Sequence, residues 1–246
     1  MDTLARFFTD NIPTPAMLLS GGPAALLWAL GALYLSGSLK RHRRWKTGYT
    51  RKVFHFLIFS CAALVSWRWG LPGVCLFGGM TSLVILYALI RGDGHLLYEG
   101  IAREKDAPYR THYIVMPYLA TLLGGIAANL LFGPAAMIGY LVTGVGDAIG
   151  EPVGTRFGRH EYAVPSFRKI KSTRSLEGSA AVFGVSYLAL LLGIGLLSPD
   201  ALSLPVLGKA LPIALACALA EAVSPHGWDN ATLQILPAYL VTVLMV

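Results

Sequence analysis

The chain has 246 residues, of which 55% are hydrophobic and 13% are charged, and its mean hydropathy is +0.59. This composition is too apolar for an ordinary soluble domain, and it indicates a single integral membrane domain over residues 1–246. The net charge is +7. An excess of this size can signal nucleic-acid binding, but Lys and Arg in short loops also set membrane orientation, so no nucleic-acid partner is expected.

Eight apolar segments follow one another along the chain, separated by short polar connectors. A helix needs about 20 apolar residues to cross the hydrocarbon core of a bilayer. We therefore expect an all-α, multi-pass transmembrane bundle of about 7–8 spans, with the second and last segments short for a full crossing. The segments are Pro15 to Leu39, Val53 to Trp67, Leu71 to Ile90, Tyr113 to Leu131, Pro134 to Pro152, Leu176 to Leu197, Pro205 to Val223 and Ala231 to Val246.

The basic residues are concentrated on alternate connectors. Residues 40–52 contain seven Lys and Arg, residues 91–110 contain four and residues 156–174 contain six, whereas the other side has only Arg6, Arg68 and Lys209. The positive-inside rule places such connectors on the cytoplasmic side. Since the polar side chains gather near the same connectors, we predict an active site on the cytoplasmic side of the membrane.

Four carboxylates lie within the apolar segments, where ionisable groups are costly and usually functional. These are Asp147, Glu151, Glu177 and Glu221. The i, i+4 spacing of Asp147 and Glu151 places both on one helical face, where like charges repel unless a cation or a proton lies between them. Carboxylate oxygens are preferred ligands of Mg²⁺. We predict a magnesium site at Asp147 and Glu151, with Glu221 as a further ligand; a protonated or lysine-paired structural carboxylate is the alternative.

The connector that follows Glu151 combines cations, hydroxyl groups and the predicted start of a helix. Cations and the backbone N–H groups of a helix N-terminus are the usual means of holding phosphates. A simple orientation signal or a contact to lipid headgroups is the alternative for the cations. The phosphate-binding candidates here are Lys171, Ser172, Arg174, Glu177, Gly178 and Ser179.

Two further polar clusters lie on the same predicted face. Arg51, Lys52 and His55 open the second segment, and a positive-inside flank explains the two cations but not a histidine inside the span. Glu221 is followed by Asp229 and Asn230, which could bind metal or nucleotide or could cap a turn. The sequence contains no P-loop, no complete GxGxxG, no GxSxG and no HExxH motif.

Taken together, these residues resemble the polyprenol kinases, which include dolichol kinase and phytol kinase, and the related CTP-dependent diacylglycerol kinase. The matching elements are RKVFH at 51–55, GDA at 146–148 with Glu151 and Gly154, KS at 171–172 with EGS at 177–179, and Glu221 with the DN pair at 229–230. They occur in family order. The segment KSTRSLEGS is longer than the family's usual form, which leaves open whether Lys171 or Arg174 occupies the phosphate-binding place.

The resemblance implies a membrane enzyme that moves a phosphoryl group from CTP, or another nucleotide, to a lipid alcohol such as phytol, farnesol, geranylgeraniol or dolichol. It implies Mg²⁺ as cofactor and Asp147, Glu151 and Lys171 as catalytic residues. A phosphatidate cytidylyltransferase-like enzyme and a CTP-dependent diacylglycerol kinase are the close alternatives. A transporter whose carboxylates carry ions is less favoured, because no inverted repeat is visible.

Overall fold

The computed structural model of the chain describes residues 2–165, 172–225 and 227–245. Over these residues the fold is all-α, which confirms the predicted fold class. The one exception among them is a two-stranded hairpin. Short 3-10 turns lie at Glu104–Asp106, Gly133–Ala135 and Pro199–Ala201, and a π-helical turn lies at Val142–Asp147. The other elements are α1 (Asp2–Asp10), α2 (Pro15–Arg43), α3 (Thr47–Arg91), α4 (Leu96–Ile101), α5 (His112–Phe132), α6 (Ala136–Leu141), α7 (Ala148–Phe157), β1 (Glu161–Val164), β2 (Ser172–Ser175), α8 (Leu176–Leu197), α9 (Leu204–Val223) and α10 (Asp229–Met245).

Within the described residues, five helical stretches are long and apolar enough to cross a membrane. They are Pro15–Arg43, Thr47–Arg91, His112–Phe157, Leu176–Leu197 and Leu204–Val223. The second and third stretches each contain two of the predicted apolar segments, and α10 accounts for the last one. Every predicted segment is therefore helical. This arrangement is compatible with seven or eight spans, and the number of crossings stays a prediction.

A sharp break at Gly70 divides α3 into two halves. Gly70 has φ 64° and ψ −158°, a conformation that glycine adopts without steric cost. A Cβ atom at Gly73 would lie 3.0 Å from Cγ1 of Val65, so the two halves pack against each other beside the break. The exposed Trp67 and Trp69 flank the same turn. The residues just after Gly70 therefore lie at the C-terminal end of the first half of α3, far from the N-terminus of the helix.

The π-helical turn at Val142–Asp147 lies at the centre of the bundle, between α3 and α8. A Cβ atom at Gly144 would lie 2.7 Å from Cβ of Phe59, and a Cβ atom at Gly146 would collide with Oγ of Ser186. Glycine at these two positions lets both helices approach the backbone of the turn. The turn ends at Asp147, whose position is thereby fixed by buried packing, and single π-helical turns of this kind are frequent at functional sites.

Ion pairs attach α4 to the ends of the long helices on the side that carries the basic connectors. The carboxylate of Glu99 lies 2.8 Å from Nζ of Lys40 on α2 and 2.8 Å from Nη2 of Arg110. Burial alone would raise the pKa of Glu99, but hydrogen bonds from Arg110 and Lys40 outweigh it and lower the pKa to about 2. These contacts hold α4 and the chain after it against the C-terminal end of α2.

The connector after α7 contains a β-hairpin that was not predicted. β1 pairs with β2 antiparallel, with Tyr162 opposite Arg174 and Val164 opposite Ser172. Ser175 ends β2 and caps α8, since its Oγ accepts a hydrogen bond of 3.1 Å from the backbone N–H of Gly178. The hairpin therefore fixes the position of Arg174 relative to the start of α8.

Candidate active site

Asp147 is almost fully buried and pairs with the two polar residues that open α3. Its Oδ2 lies 2.6 Å from Nζ of Lys52 and 3.3 Å from Nε2 of His55. The same His55 nitrogen lies 2.8 Å from the carbonyl oxygen of Thr143, so Nε2 carries the proton and donates it. The side chains of Lys52 and Asp147 are 8% and 4% exposed. A buried charge pair of this kind is stable only with close geometry, which this site provides.

Glu151 has a separate set of partners from Asp147. Its Oε2 lies 2.8 Å from Nη2 of Arg51, and its Oε1 lies 3.4 Å from Nη1 of Arg103. Arg103 is itself buried and also contacts Asp106 at 2.9 Å. The two arginines neutralise Glu151, so this carboxylate does not need a shared cation to offset repulsion from Asp147. This arrangement differs from the predicted pairing of Asp147 and Glu151 around one ion.

The structure instead groups Asp147 with Glu221 and Asp229. One carboxylate oxygen from each of these three buried residues lies within 4.8 Å of the other two. They come from the π-helical turn, the C-terminal end of α9 and the start of α10. Arg174 faces the same group, with Nε 2.8 Å from Glu221 and Nη2 2.9 Å from Asp229. Three converging carboxylates form a donor set that suits a hard divalent cation such as Mg²⁺.

The other predicted site residues have different surroundings. Glu177 pairs with Nδ1 of the exposed His160 at 2.8 Å, and Ser179 lies 2.6 Å from the hydroxyl of Tyr162. Both therefore contact the hairpin, and neither is part of the carboxylate group. Gly178 uses its N–H for the helix cap described above.

Of the three remaining predicted residues, one lies outside the described residues, one begins a strand and one forms hydrogen bonds to a neighbouring helix. Lys171 lies outside the described residues, and Ser172 begins β2. Asn230 is buried next to Asp229 but donates to Oγ1 of Thr121 at 2.8 Å and to the carbonyl of Pro117 at 3.3 Å. It thus attaches α10 to α5 beside the site.

Arg103 is a site residue that the sequence analysis did not identify. It lies in the connector between α4 and α5, where it counted only as one basic residue among four. Its 5% exposed side chain contacts Glu151. The proximity of Asp106 to Arg103 in the sequence was the available signal, because arginine is almost never fully buried unless it is paired.

An apolar cavity of about 400 Å³ extends from this site between α3, α5 and α10. Its walls are mainly aliphatic and aromatic, with side chains such as Phe54, Ile58, Leu122 and Ile126. Its polar end is lined by Arg51, Lys52, His55, Asp147, Asp229 and Asn230. The cavity has the size of a small-molecule site, and it presents a long apolar surface with charged groups at one end.

Comparison with known proteins assigns the chain to a family. No family model matches the sequence, and no solved structure matches it. The chain is similar to a phytol kinase from Synechocystis sp., with 30% identity over 208 residues that cover 84% of each protein. The similarity covers most of both proteins. The chain therefore belongs to the polyprenol and phytol kinase-like family.

Proposed function

We propose that this chain is a membrane-embedded kinase that transfers the γ-phosphoryl group of CTP to a prenyl alcohol. The observation that carries the proposal is the apolar cavity, which ends among buried carboxylates and cations. A prenyl alcohol has the matching shape, with a long apolar chain and one terminal hydroxyl group. The Synechocystis relative, which is named a phytol kinase, supports both the reaction and this class of substrate.

The lipid would lie with its chain between α3, α5 and α10 and its hydroxyl at the polar end of the cavity. Apolar walls stabilise the chain without directional contacts, because burial of apolar surface contributes about 25 cal/mol per Å². The hydroxyl would then lie beside Asp147 and Asp229, the two carboxylates of the three-carboxylate group that line the cavity. This placement brings the reacting oxygen to the charged residues.

The buried carboxylates at the polar end of the cavity are suitable ligands for Mg²⁺. Asp147, Glu221 and Asp229 would hold it, since their oxygens converge within 4.8 Å and all three are buried. When bound, the ion would neutralise charge on the transferred phosphoryl group and the nucleotide oxygens. Glu151 is a further carboxylate near the site, where its contacts to Arg51 and Arg103 position these two arginines.

Arg51, Lys52 and Arg174 would bind the nucleotide phosphates, and Lys171 is a further candidate for the same role. Among the described residues, Nε of Arg51 is a buried donor without a hydrogen-bond partner. Buried donors in proteins nearly always have a partner, so a phosphate oxygen is a suitable acceptor for this one. The guanidinium of Arg174 already bridges Glu221 and Asp229, which places its charge beside the proposed metal ligands.

In the proposed step, the lipid hydroxyl oxygen forms a bond to the γ-phosphorus while the bond from that phosphorus to the β–γ bridging oxygen breaks. CDP leaves with the electron pair of the broken bond. The hydroxyl proton passes to Asp147 or Asp229, the carboxylates that line the cavity. Positioning and charge compensation supply most of the rate enhancement in reactions of this type.

The site would face the cytoplasm, where CTP is available. Arg51, Arg103 and Arg174 all come from the connectors and helix ends that carry the basic residues. Large apolar side chains such as Leu19, Leu27 and Leu188 are exposed on the outside of the bundle, as expected for a surface in contact with lipid.

The experiment that tests the proposal uses membranes that contain the protein, Mg²⁺ and phytol, farnesol or a polyprenol. We expect label from γ-labelled CTP to enter an organic-soluble monophosphate, and label from α-labelled CTP to remain in water. Competition with unlabelled ATP, GTP and UTP measures the choice of nucleotide. Entry of α-label into lipid with phosphatidate would make the chain a cytidylyltransferase, and γ-label in phosphatidate with diacylglycerol would make it a diacylglycerol kinase. Absence of nucleotide turnover with every acceptor would contradict all three enzyme functions.

A further inference from the structure

The far end of the apolar cavity lies close to the Gly70 break in α3. Leu71, Val74 and Cys75 line the cavity there. The helical rise from Arg51 to Gly70 is about 28 Å. The cavity therefore extends through most of the bundle from the charged residues to the opposite end.

Two aromatic residues of α1 also line this cavity. Phe7 and Phe8 pack edge to face, with ring centroids 5.5 Å apart and an interplanar angle of 82°. Four residues join α1 to α2, and Nδ2 of Asn11 donates a hydrogen bond of 2.7 Å to the carbonyl oxygen of Phe7. Since α2 runs antiparallel to the first half of α3, its N-terminus and α1 lie at the end remote from Arg51. The aromatic pair is thus placed across the far end of the cavity.

We propose that Phe7 and Phe8 close the far end of the lipid cavity and set the greatest length of prenyl chain that the enzyme accepts. This inference rests on the proposed function. A cavity of about 400 Å³ is near the lower end of the range for small-molecule sites, about 300–1,000 Å³. It has room for one short prenyl chain, such as that of geranylgeraniol or phytol. A long polyprenol would have to pass the two rings.

The second half of α3 offers a way to shorten the same cavity. Gly78 lines the cavity on the second half of α3, and a Cβ atom built at this residue has no atom within 4 Å. A leucine at this position would therefore project into open space in the cavity without a clash at its Cβ. Leucine also has a better helix propensity than glycine, so the change does not weaken α3.

The test compares turnover of farnesol, geranylgeraniol and a long polyprenol in the full chain. The double variant Phe7→Ala/Phe8→Ala should raise the ratio of polyprenol to farnesol turnover at least about tenfold, and Gly78→Leu should lower the ratio of geranylgeraniol to farnesol turnover by a similar factor. Ratios are used because they do not depend on the amount of folded protein. The matched control is Phe132→Ala, which removes a phenyl ring that packs on Tyr239 at the same end of the bundle but does not line the cavity.

Each outcome is decisive. Opposite shifts in the two ratios, with both ratios unchanged in Phe132→Ala, would support the assignment. Unchanged ratios in both cavity variants, with normal turnover by the wild type, would overturn the role of Phe7 and Phe8 and leave the proposed function intact. If the wild type turned over none of the alcohols, the proposed function would fall, and the inference would fall with it.

Discussion

Replacement of Asp147 by asparagine tests the centre of the proposed site. The change keeps the size of the side chain and removes one charge from the group formed with Glu221 and Asp229. It also leaves Lys52, which lies 2.6 Å away and is 8% exposed, without its anionic partner. The variant should therefore lose both activity and stability, and the two losses have different causes.

The magnitudes follow from burial. Removal of one partner from a buried ion pair typically destabilises a protein by about 3–5 kcal/mol, and asparagine should give the lower value because it still accepts a hydrogen bond. Loss of a metal ligand should lower kcat at least about 100-fold, equivalent to about 2.7 kcal/mol in the activation barrier. The loss of activity in properly folded protein should thus be measurable on its own.

The double variant Asp147→Asn/Lys52→Met tests the origin of the loss of stability, since Lys52 is also a proposed phosphate-binding residue and its removal should lower activity in its own right. Methionine removes the unpaired charge at a similar side-chain length, so the thermal midpoint should rise towards the wild-type value while kcat stays low. The measurements are thermal unfolding in detergent and transfer of γ-label from CTP to a prenyl alcohol. Recovery of activity along with stability would refute the reasoning, because Asp147 would then serve only to compensate Lys52.

Three further substitutions address the surroundings of the site. Arg174→Gln should lower turnover at least about 100-fold, because the guanidinium contacts two of the three carboxylates. The control Arg43→Gln should have near wild-type turnover. Equal losses of turnover in the two variants would mean that both arginines act only as orientation signals. Glu151→Gln should raise KM for the nucleotide about tenfold more than it lowers kcat, since the change frees two arginines and removes no proposed metal ligand. A loss confined to kcat would contradict this role of Glu151. Glu99→Gln should lower the thermal midpoint at neutral pH. Because Arg110 and Lys40 lower the pKa of Glu99 from 4.5 to about 2, the difference from wild type should shrink as pH falls through that interval; a constant difference would show that the charge of Glu99 is not the cause.

Local patterns in the sequence were sufficient to predict the helices. Apolar composition is a property of consecutive residues, so each predicted segment could be read directly and each is helical in the structure. The division at residues 68–70 between the predicted segments Val53 to Trp67 and Leu71 to Ile90 coincides with the break at Gly70. The backbone conformation of this break was not predicted, because it depends on dihedral angles. The hairpin was also missed, since its basic residues suggested a plain connector.

The partners of each charged residue could not be predicted from spacing along the chain. The i, i+4 relation of Asp147 and Glu151 predicted a shared helical face, but the ion-pair partners of these carboxylates come from α3 and from the connector after α4. Arg51 and Glu151 are 100 residues apart in sequence. Pairing over such a separation depends on how the helices pack, and the sequence of one segment does not contain that information.

The Gly70 break also bears on the thickness of membrane that suits this protein. In the proposed placement, the first half of α3 enters the bilayer at Arg51 and leaves it at Arg68, whose guanidinium lies 5.7 Å from the ring of Trp69. The helical rise from Arg51 to Arg68 is about 26 Å, which is less than the hydrocarbon thickness of about 30 Å in a typical bilayer. Interfacial tryptophans hold the end of this half-helix at the membrane surface, so either the surrounding bilayer becomes thinner or the helix distorts. Vesicles of short-chain phospholipids will therefore match this half of α3 better than vesicles of long-chain ones, and acyl-chain length becomes a variable to control whenever turnover is compared between preparations.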